Sequence, residues 1–199
     1  MNRMVTITIG ALIMLAMATL VLVVLPYRQF KDESPPEQLK PYTLAQLRGR
    51  ATYVNMGCVY CHSQQPRSSA LGPDALRGWG RPSVAADYVY DTPQLLGVSR
   101  TGPDLFNIGA RQPSVDWHLT HLYQPRSVSP GSVMPAYPFL FKVVDHPAPG
   151  DKVVTLPPQF APQGGAQVVA TQEALDLVAY LTSLNHTYPV PVGDSGATK

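Results

Sequence analysis

Cysteine and histidine form the most informative cluster of this sequence, Cys58-Val59-Tyr60-Cys61-His62. The spacing Cys-x-x-Cys-His is that of a covalent attachment site for a c-type haem. Each thiol can form a thioether bond with a haem vinyl group, and the adjacent imidazole can bind the iron as the proximal ligand. The 199 residues contain only two cysteines and five histidines, so chance is a poor explanation. The pattern predicts one covalent haem c and leaves no cysteine for a structural disulfide.

Two other kinds of site use a Cys-x-x-Cys pair, a redox-active disulfide and half of a zinc site. Zinc would need two more ligands near His62, and the sequence has no second pair of cysteines. A redox disulfide does not need the histidine that follows. Haem c is therefore the favoured interpretation of Cys58, Cys61 and His62.

A haem that transfers electrons needs a sixth ligand that keeps water off the iron, and methionine is a common one. Met56 lies two residues before Cys58, on the attachment side of the haem. Four further methionines lie in or before an apolar N-terminal segment: Met1, Met4, Met14 and Met17. Met134 remains, in a loop that Pro135 and Pro138 would stiffen. Elimination predicts Met134 as the distal ligand, although methionine is also a common core residue.

Histidines keep a bis-histidine site open as the alternative: His118, His121, His146 and His186. His118 and His121 fall on a short predicted helix, where local hydrogen bonding or contact with a partner is the commoner role. His146 lies in a loop and is expected at the surface.

The loop Gly102-Pro103-Asp104-Leu105 is a candidate support for the proximal ligand. An iron-bound imidazole normally donates its other N–H to a carbonyl, which fixes the orientation of the ring. Pro103 could supply that carbonyl, although an ordinary turn would also explain the dipeptide. Arginines near the predicted haem loops could pair with the haem propionates, and there are three of them: Arg100, Arg111 and Arg126. An arginine of this kind is more often a solvated surface charge.

The N-terminal segment from Met4 to Leu25 has no charged residue. As a helix, its 22 residues would be about 33 Å long, enough to cross a bilayer. The run is longer than the apolar region of a signal peptide and has no small-x-small cleavage site after it, so we expect an uncleaved anchor. The flanking charges give little sign of orientation. Because haem c is attached outside the bacterial cytoplasm, we expect the remaining domain in the periplasm.

The rest of the chain is predicted to be one small, mainly α domain with long loops and little sheet, since 21 of its residues are proline. We expect a linker at 26–40, the domain at 41–188 and a disordered tail at 189–199. A net charge of +2 gives no sign of nucleic-acid binding.

Three helices are predicted within this domain. Thr43 and Gln46 form a capping box before the first, whose apolar stripe is Leu44, Leu47, Ala51 and Val54. Ser114 can cap the second, with Val115, Leu119 and Leu122 on one face. Thr171 can cap the last, which runs from about 172 to 185 and has the apolar stripe Ala174, Leu177, Val178, Leu181 and Leu184. Residues 63–100 and 141–170 have the character of loops.

Longer motifs occur around these sites in a fixed order: Pro41-Tyr42-Thr43, Gly49-Arg50-x-x-Tyr53, Gly57-Cys58-x-x-Cys61-His62-Ser63-Gln64, Val89-Tyr90-Asp91, Arg100-Thr101-Gly102-Pro103-Asp104-Leu105, Trp117-His118-x-x-His121-Leu122-Tyr123-x-Pro125-Arg126 and Met134-Pro135-x-Tyr137-Pro138. Together they resemble the mono-haem c subunit of the cbb-type (C-family) haem–copper oxidases, the FixO-like subunit. The resemblance covers about residues 40–141, the anchor and the final helix. It departs in the loop 65–87, where the family usually has an Arg-rich, acidic stretch, and segment 142–170 also matches poorly.

The resemblance implies a class I cytochrome c domain on a single-pass anchor in the bacterial inner membrane. Such a subunit passes electrons to the low-spin b haem of an integral-membrane haem–copper subunit, which reduces oxygen, and a di-haem cytochrome c subunit is a second expected partner. The chain would then be part of an enzyme without holding its oxygen-reduction site. His62 and Met134 carry over as axial ligands, and Cys58 and Cys61 as attachment sites. The alternatives are the haem c subunit of a nitric oxide reductase and a free membrane-tethered electron shuttle.

Overall fold

The computed structural model describes residues 2–190. The predicted tail at 189–199 lies outside them apart from its first two residues. Within the described part the protein is mainly helical, as predicted, with long loops between short helices.

A single apolar helix, α1 (Arg3–Phe30), forms the N-terminal region and has the length and composition of a membrane span. The side chain of Asn2 begins it by accepting a hydrogen bond from Met4 N. Pro26 does not end the helix. A wide π-helical turn at Leu20–Val24 precedes it, and such a turn can accommodate a residue that has no N–H to donate. The first five residues of the predicted linker, 26–30, are therefore helical.

Two helices that are distant in sequence pack against each other, α2 (Leu44–Asn55) and α5 (Gln172–Ser183). The predicted capping box begins α2, with Thr43 N donating to Gln46 Oε1 at 2.8 Å. Their backbones approach so closely at Gly49 that a Cβ there would lie 1.9 Å from the carbonyl oxygen of Asp176. This contact needs a residue without a side chain, and it brings the end of α2 onto the domain core.

The prediction that the apolar stripe of α2 forms its buried face is wrong. Leu44 and Leu47, like Ala51 and Val54, lie on the exposed side of the helix. The buried side chains belong instead to Thr52 and Tyr53, next to Gly49. Periodicity identifies the residues that share a helix face but not the face that another helix covers, and here the need for close approach selects the glycine face.

Two shorter helices lie between these, α3 (Ile108–Arg111) and α4 (Val115–Tyr123). The Ser114 side chain caps α4 as predicted, by accepting from Trp117 N at 3.2 Å. Leu119 and Leu122 are buried as predicted, whereas Val115 is largely exposed.

A two-stranded antiparallel sheet corrects the prediction that residues 141–170 are all loop. Its strands are β1 (Phe141–Val144) and β2 (Gln167–Ala170), paired from Phe141 opposite Ala170 to Val144 opposite Gln167. Each strand contains a Val-Val pair, and β-branched residues favour the pleated backbone. Strands this short are stable through their pairing and packing, which a local reading of the sequence does not reveal.

The core lies between this sheet and the helices α2, α4 and α5. Thr171 caps α5 as predicted, with its side chain accepting from Ala174 N. The predicted stripe of α5 is buried throughout: Ala174, Leu177, Val178, Leu181 and Leu184. Helix α5 ends at Ser183, two residues before the predicted end.

Candidate functional site

The Cys-x-x-Cys-His segment follows directly from the end of α2. Gly57 reverses the chain there with φ +73°, a left-handed conformation that glycine adopts at little cost. A single 3-10 turn, Cys58–Tyr60, follows, and His62 N donates to the carbonyl of Cys58 at 3.0 Å. The turn folds the histidine back beside the cysteines, so that all three side chains reach the same cavity.

The cavity has a volume of about 510 Å³ and a largely apolar lining, which suits a large flat ligand. Cys58, Cys61 and His62 lie on its wall together with Met134 and Tyr137. Burial raises the pKa of the Cys58 thiol to about 11. A buried thiol of this kind is inert towards the solvent.

The proximal side of the cavity is built around the His62 ring. Its Nδ1 donates to the carbonyl oxygen of Pro103 at 2.8 Å, since a carbonyl can only accept. This hydrogen bond leaves Nε2 as the nitrogen with a free lone pair. Burial lowers the pKa of His62, against the opposing effect of the Pro103 carbonyl, so the ring is neutral and able to bind a metal at neutral pH.

Gly102 fits directly under this ring. A Cβ at that position would lie 2.3 Å from Cε1 of His62, far inside van der Waals contact. Gly102 N also donates to the carbonyl of Cys61 at 2.8 Å, so the loop is bonded to the attachment segment on both sides of the imidazole.

The loop that carries Met134 is held against the end of α4. Tyr137 N donates to the carbonyl of Leu122 at 2.9 Å, and Met134 N donates to Ser132 Oγ at 3.2 Å. Met134 is partly buried against the core. Of the methionines among residues 2–190, Met134 alone lines the cavity, and Met56 lies outside it.

The four alternative histidines separate clearly. His146 is exposed, as predicted. His186 is buried away from the cavity, where it donates to the carbonyl of Phe106 at 2.7 Å and stacks on its ring. His118 lines the cavity, but its Nε2 already donates to the carbonyl of Gln112 at 2.8 Å.

His121 differs because its Nδ1 is buried in the cavity wall without a hydrogen-bond partner in residues 2–190. Its ring stacks on Trp117, with the centroids 4.6 Å apart. Burial lowers the pKa of His121 to about 4, so the imidazole is neutral. Tyr53 also lines the cavity, and its hydroxyl has no hydrogen-bond partner in the described part of the chain.

These residues fit a covalent haem. The donor set combines two thiols, an imidazole with Nε2 free and a thioether on one apolar cavity, which is the chemistry of haem c with His/Met ligation. Within the described residues, the Tyr53 hydroxyl and His121 Nδ1 lack hydrogen-bond partners, and the polar groups of a bound ligand could supply them.

The three arginines considered for propionate pairing do not line the cavity. Arg126 is exposed. Arg111 donates to the carbonyl of Asp104. Arg100 donates to Asp74 Oδ1 at 2.7 Å and directly precedes the loop 101–105 that supports the His62 ring, the proximal loop. Pairing of Arg126 with a propionate stays a prediction.

Polar residues that hold the proximal loop in place were not predicted from the sequence. Ser63 Oγ donates to Asp104 Oδ2 at 2.6 Å, and both residues are buried. Both occur in the motifs that surround the site, so a signal for them existed. Asp74 had none, since it lies in the divergent loop 65–87.

A model of the protein family described as cytochrome c oxidase, mono-haem subunit/FixO, matches residues 1–156. The match includes α1, the attachment segment and the Met134 loop, and ends before β2 and α5. No curated protein matches the chain.

Proposed function

Because the chain belongs to the FixO family of mono-haem subunits of cytochrome c oxidase, we propose that it is the membrane-anchored subunit that delivers electrons to the low-spin b haem of a catalytic haem–copper subunit. The observation that carries the proposal is the meeting of Cys58, Cys61, His62 and Met134 on one apolar cavity. Membership makes the chain part of an oxidoreductase complex.

One haem c would be held by residues that the structure brings together. Cys58 and Cys61 would form the thioether bonds, and His62 and Met134 would be the axial ligands. Bound there, the haem supplies reversible one-electron chemistry. Pro103 keeps the His62 ring in the tautomer whose Nε2 can ligate, and the apolar lining keeps water from the site.

In this proposal the two reactions of the complex, oxygen reduction and electron delivery, belong to different subunits. Oxygen is reduced in the catalytic subunit, and the chain described here carries one electron at a time through a class I cytochrome c domain at 41–188. A di-haem cytochrome c subunit is the second expected partner. The anchor α1 (Arg3–Phe30) would hold the subunit in the bacterial inner membrane, with the haem domain on the periplasmic side.

Purification of the tagged full-length chain in a mild detergent tests this proposal. We expect one haem per chain that stays attached on a denaturing gel, and a partner that contains copper and shows cytochrome c oxidase activity. A Cys58→Ser, Cys61→Ser chain is the matched control, and its band should lose the haem stain. A partner with non-haem iron would instead indicate a nitric oxide reductase, and a haem-bearing chain that purifies alone would indicate a free shuttle.

A further inference from the structure

A cluster of buried charges lies on the outer side of the proximal loop. Asp74 and Asp104 are completely buried, and the Arg100 side chain is only 15% exposed. Arg100 donates to Asp74 Oδ1 at 2.7 Å through one terminal nitrogen, and its other terminal nitrogen lies 3.9 Å from Asp104 Oδ2. The ring of Trp79 covers the guanidinium of Arg100, with the ring centroid 5.2 Å from Cζ.

Arg100 connects this cluster to the attachment segment. Its Nε donates to Ser63 Oγ at 3.0 Å, and Nη2 donates to the carbonyl of Gln65 at 2.7 Å. Ser63 is the residue after His62, and its carbonyl accepts from Leu105 N at 2.7 Å. The guanidinium is therefore bonded to the segment that contains the proximal histidine.

Asp104 connects the same segment to the loop that supports the imidazole. Its carboxylate accepts from Ser63 Oγ at 2.6 Å and from Gln65 N at 2.8 Å. Asp104 directly follows Pro103, whose carbonyl accepts from His62. The Arg100, Ser63 and Asp104 contacts thus fix the His62 segment relative to the Pro103 carbonyl.

We propose that Asp74 is a positioning and charge-setting residue for the haem: it holds Arg100 against Ser63 and so controls the proximal ligand and the reduction potential. Asp74 is held in turn by Arg67 N, which donates to its Oδ2 at 2.7 Å. The residue comes from the loop 65–87, where the sequence departs from the family resemblance. This inference rests on the proposed function, since it requires a haem bound at His62.

The direction of the effect follows from the charges in this cluster. Two carboxylates, Asp74 and Asp104, stand beside the guanidinium of Arg100, and Arg111 donates to the Asp104 carbonyl. A buried negative charge near iron stabilises the oxidised haem, because oxidation adds a positive charge and the interior screens it weakly. Removal of the Asp74 charge should therefore raise the reduction potential.

The test compares Asp74→Asn and Asp74→Ala in the full-length, detergent-solubilised chain. Asn keeps an oxygen that can accept from Arg100 but loses the charge, whereas Ala loses both. We expect a higher midpoint potential in both variants. In Asp74→Ala alone, we also expect displaced paramagnetic NMR signals of the His62 ring, because Arg100 then loses its anchor.

The matched control is Asp116→Asn, which removes a charge that is largely exposed and paired with Lys152. Its potential and its His62 signals should equal those of the unmodified chain. If the Asp74 variants had the same midpoint potential as Asp116→Asn, the inference would be overturned. The proposed function would still stand, provided that the unmodified chain carries covalent haem. Absence of covalent haem from the unmodified chain would refute the proposed function itself.

A second variant guards against a failure of the Asp74 chains to acquire haem. Arg100→Lys keeps the positive charge, but its one nitrogen replaces the three nitrogens through which Arg100 reaches Asp74, Ser63 and Gln65. It should displace the His62 signals in the same direction as Asp74→Ala. Signals equal to those of the unmodified chain would refute the positioning role.

Discussion

Replacement of Gly102 by alanine should disturb the proximal ligand without touching the attachment cysteines. The new Cβ would lie 2.3 Å from Cε1 of His62 and 2.7 Å from its Nδ1, whereas ordinary contact begins near 3.4 Å. The Gly102 backbone is held by the carbonyl of Cys61 at 2.8 Å, so the ring has to retreat by about 1 Å. The Nδ1–Pro103 distance, 2.8 Å in the structure, would then approach about 4 Å, beyond hydrogen-bond range.

The loss of this hydrogen bond has a calculable consequence. A donated N–H makes the imidazole a more basic ligand, which favours oxidised iron, so its loss should raise the midpoint potential. The shift equals the difference in hydrogen-bond strength between oxidised and reduced haem, so a net bond value of about 0.5–1.5 kcal/mol sets its upper limit at about 20–65 mV for one electron. Redox titration of the detergent-solubilised chain, followed by its visible spectrum, measures the shift.

Gly10→Ala is the control for Gly102→Ala, because a Cβ at this position of α1 would meet nothing within 4 Å and the residue does not line the cavity. Both variants should retain one covalent haem per chain on a denaturing gel. The reasoning would be refuted if Gly102→Ala had the potential and spectrum of the unmodified chain, since the loop would then have room that the structure does not show.

Further outcomes are expected elsewhere in the domain. Met134→Ala should keep its attached haem but lose the weak near-infrared band of His/Met ligation and acquire a lower potential; an unchanged spectrum and potential would mean that Met134 is a core residue and not the ligand. Gly49→Ala places a Cβ 1.9 Å from the carbonyl of Asp176 and should cost about 1–3 kcal/mol of unfolding free energy, measured by urea titration of the full chain; an unchanged midpoint would contradict the close helix contact. Burial lowers the pKa of His186, although the Phe106 carbonyl acts in the opposite direction. The unfolded chain therefore takes up this proton first, and stability should fall as the pH drops below about 6.5, by up to about 1.4 kcal/mol per pH unit. His186→Gln should flatten that slope. Parallel pH curves for the two chains would contradict the prediction, because they would mean that His186 has the same pKa in the folded and the unfolded chain.

Helix starts were predictable because they depend on neighbouring residues. Thr43, Ser114 and Thr171 each cap a helix in the structure, and each bonds a backbone N–H three residues ahead. Such a hydrogen bond involves only four consecutive residues, so it depends little on the tertiary structure. The burial of α2 was predicted wrongly for the opposite reason: its covered face depends on α5, more than 100 residues away.

Proline and valine show the same limit. The anchor was predicted to end at Leu25, but the helix continues through Pro26 to Phe30, with a π turn just before the proline. The valines of β1 and β2 were assigned to a loop, because four-residue strands carry too little periodicity to stand out. Their pairing joins segments more than 20 residues apart.

The sequence by itself predicted the chemistry of the site, because the Cys-x-x-Cys-His motif lies within five consecutive residues and the few methionines left Met134 by elimination. The tertiary structure decided how those groups meet. It brings Met134 to the cavity that His62 lines, places Pro103 under the imidazole across 41 residues, and pairs Arg100 with Asp74 from a loop of no recognisable pattern. Short-range patterns record which atoms can react, whereas contacts between distant segments depend on packing and burial, which exist only in the folded chain.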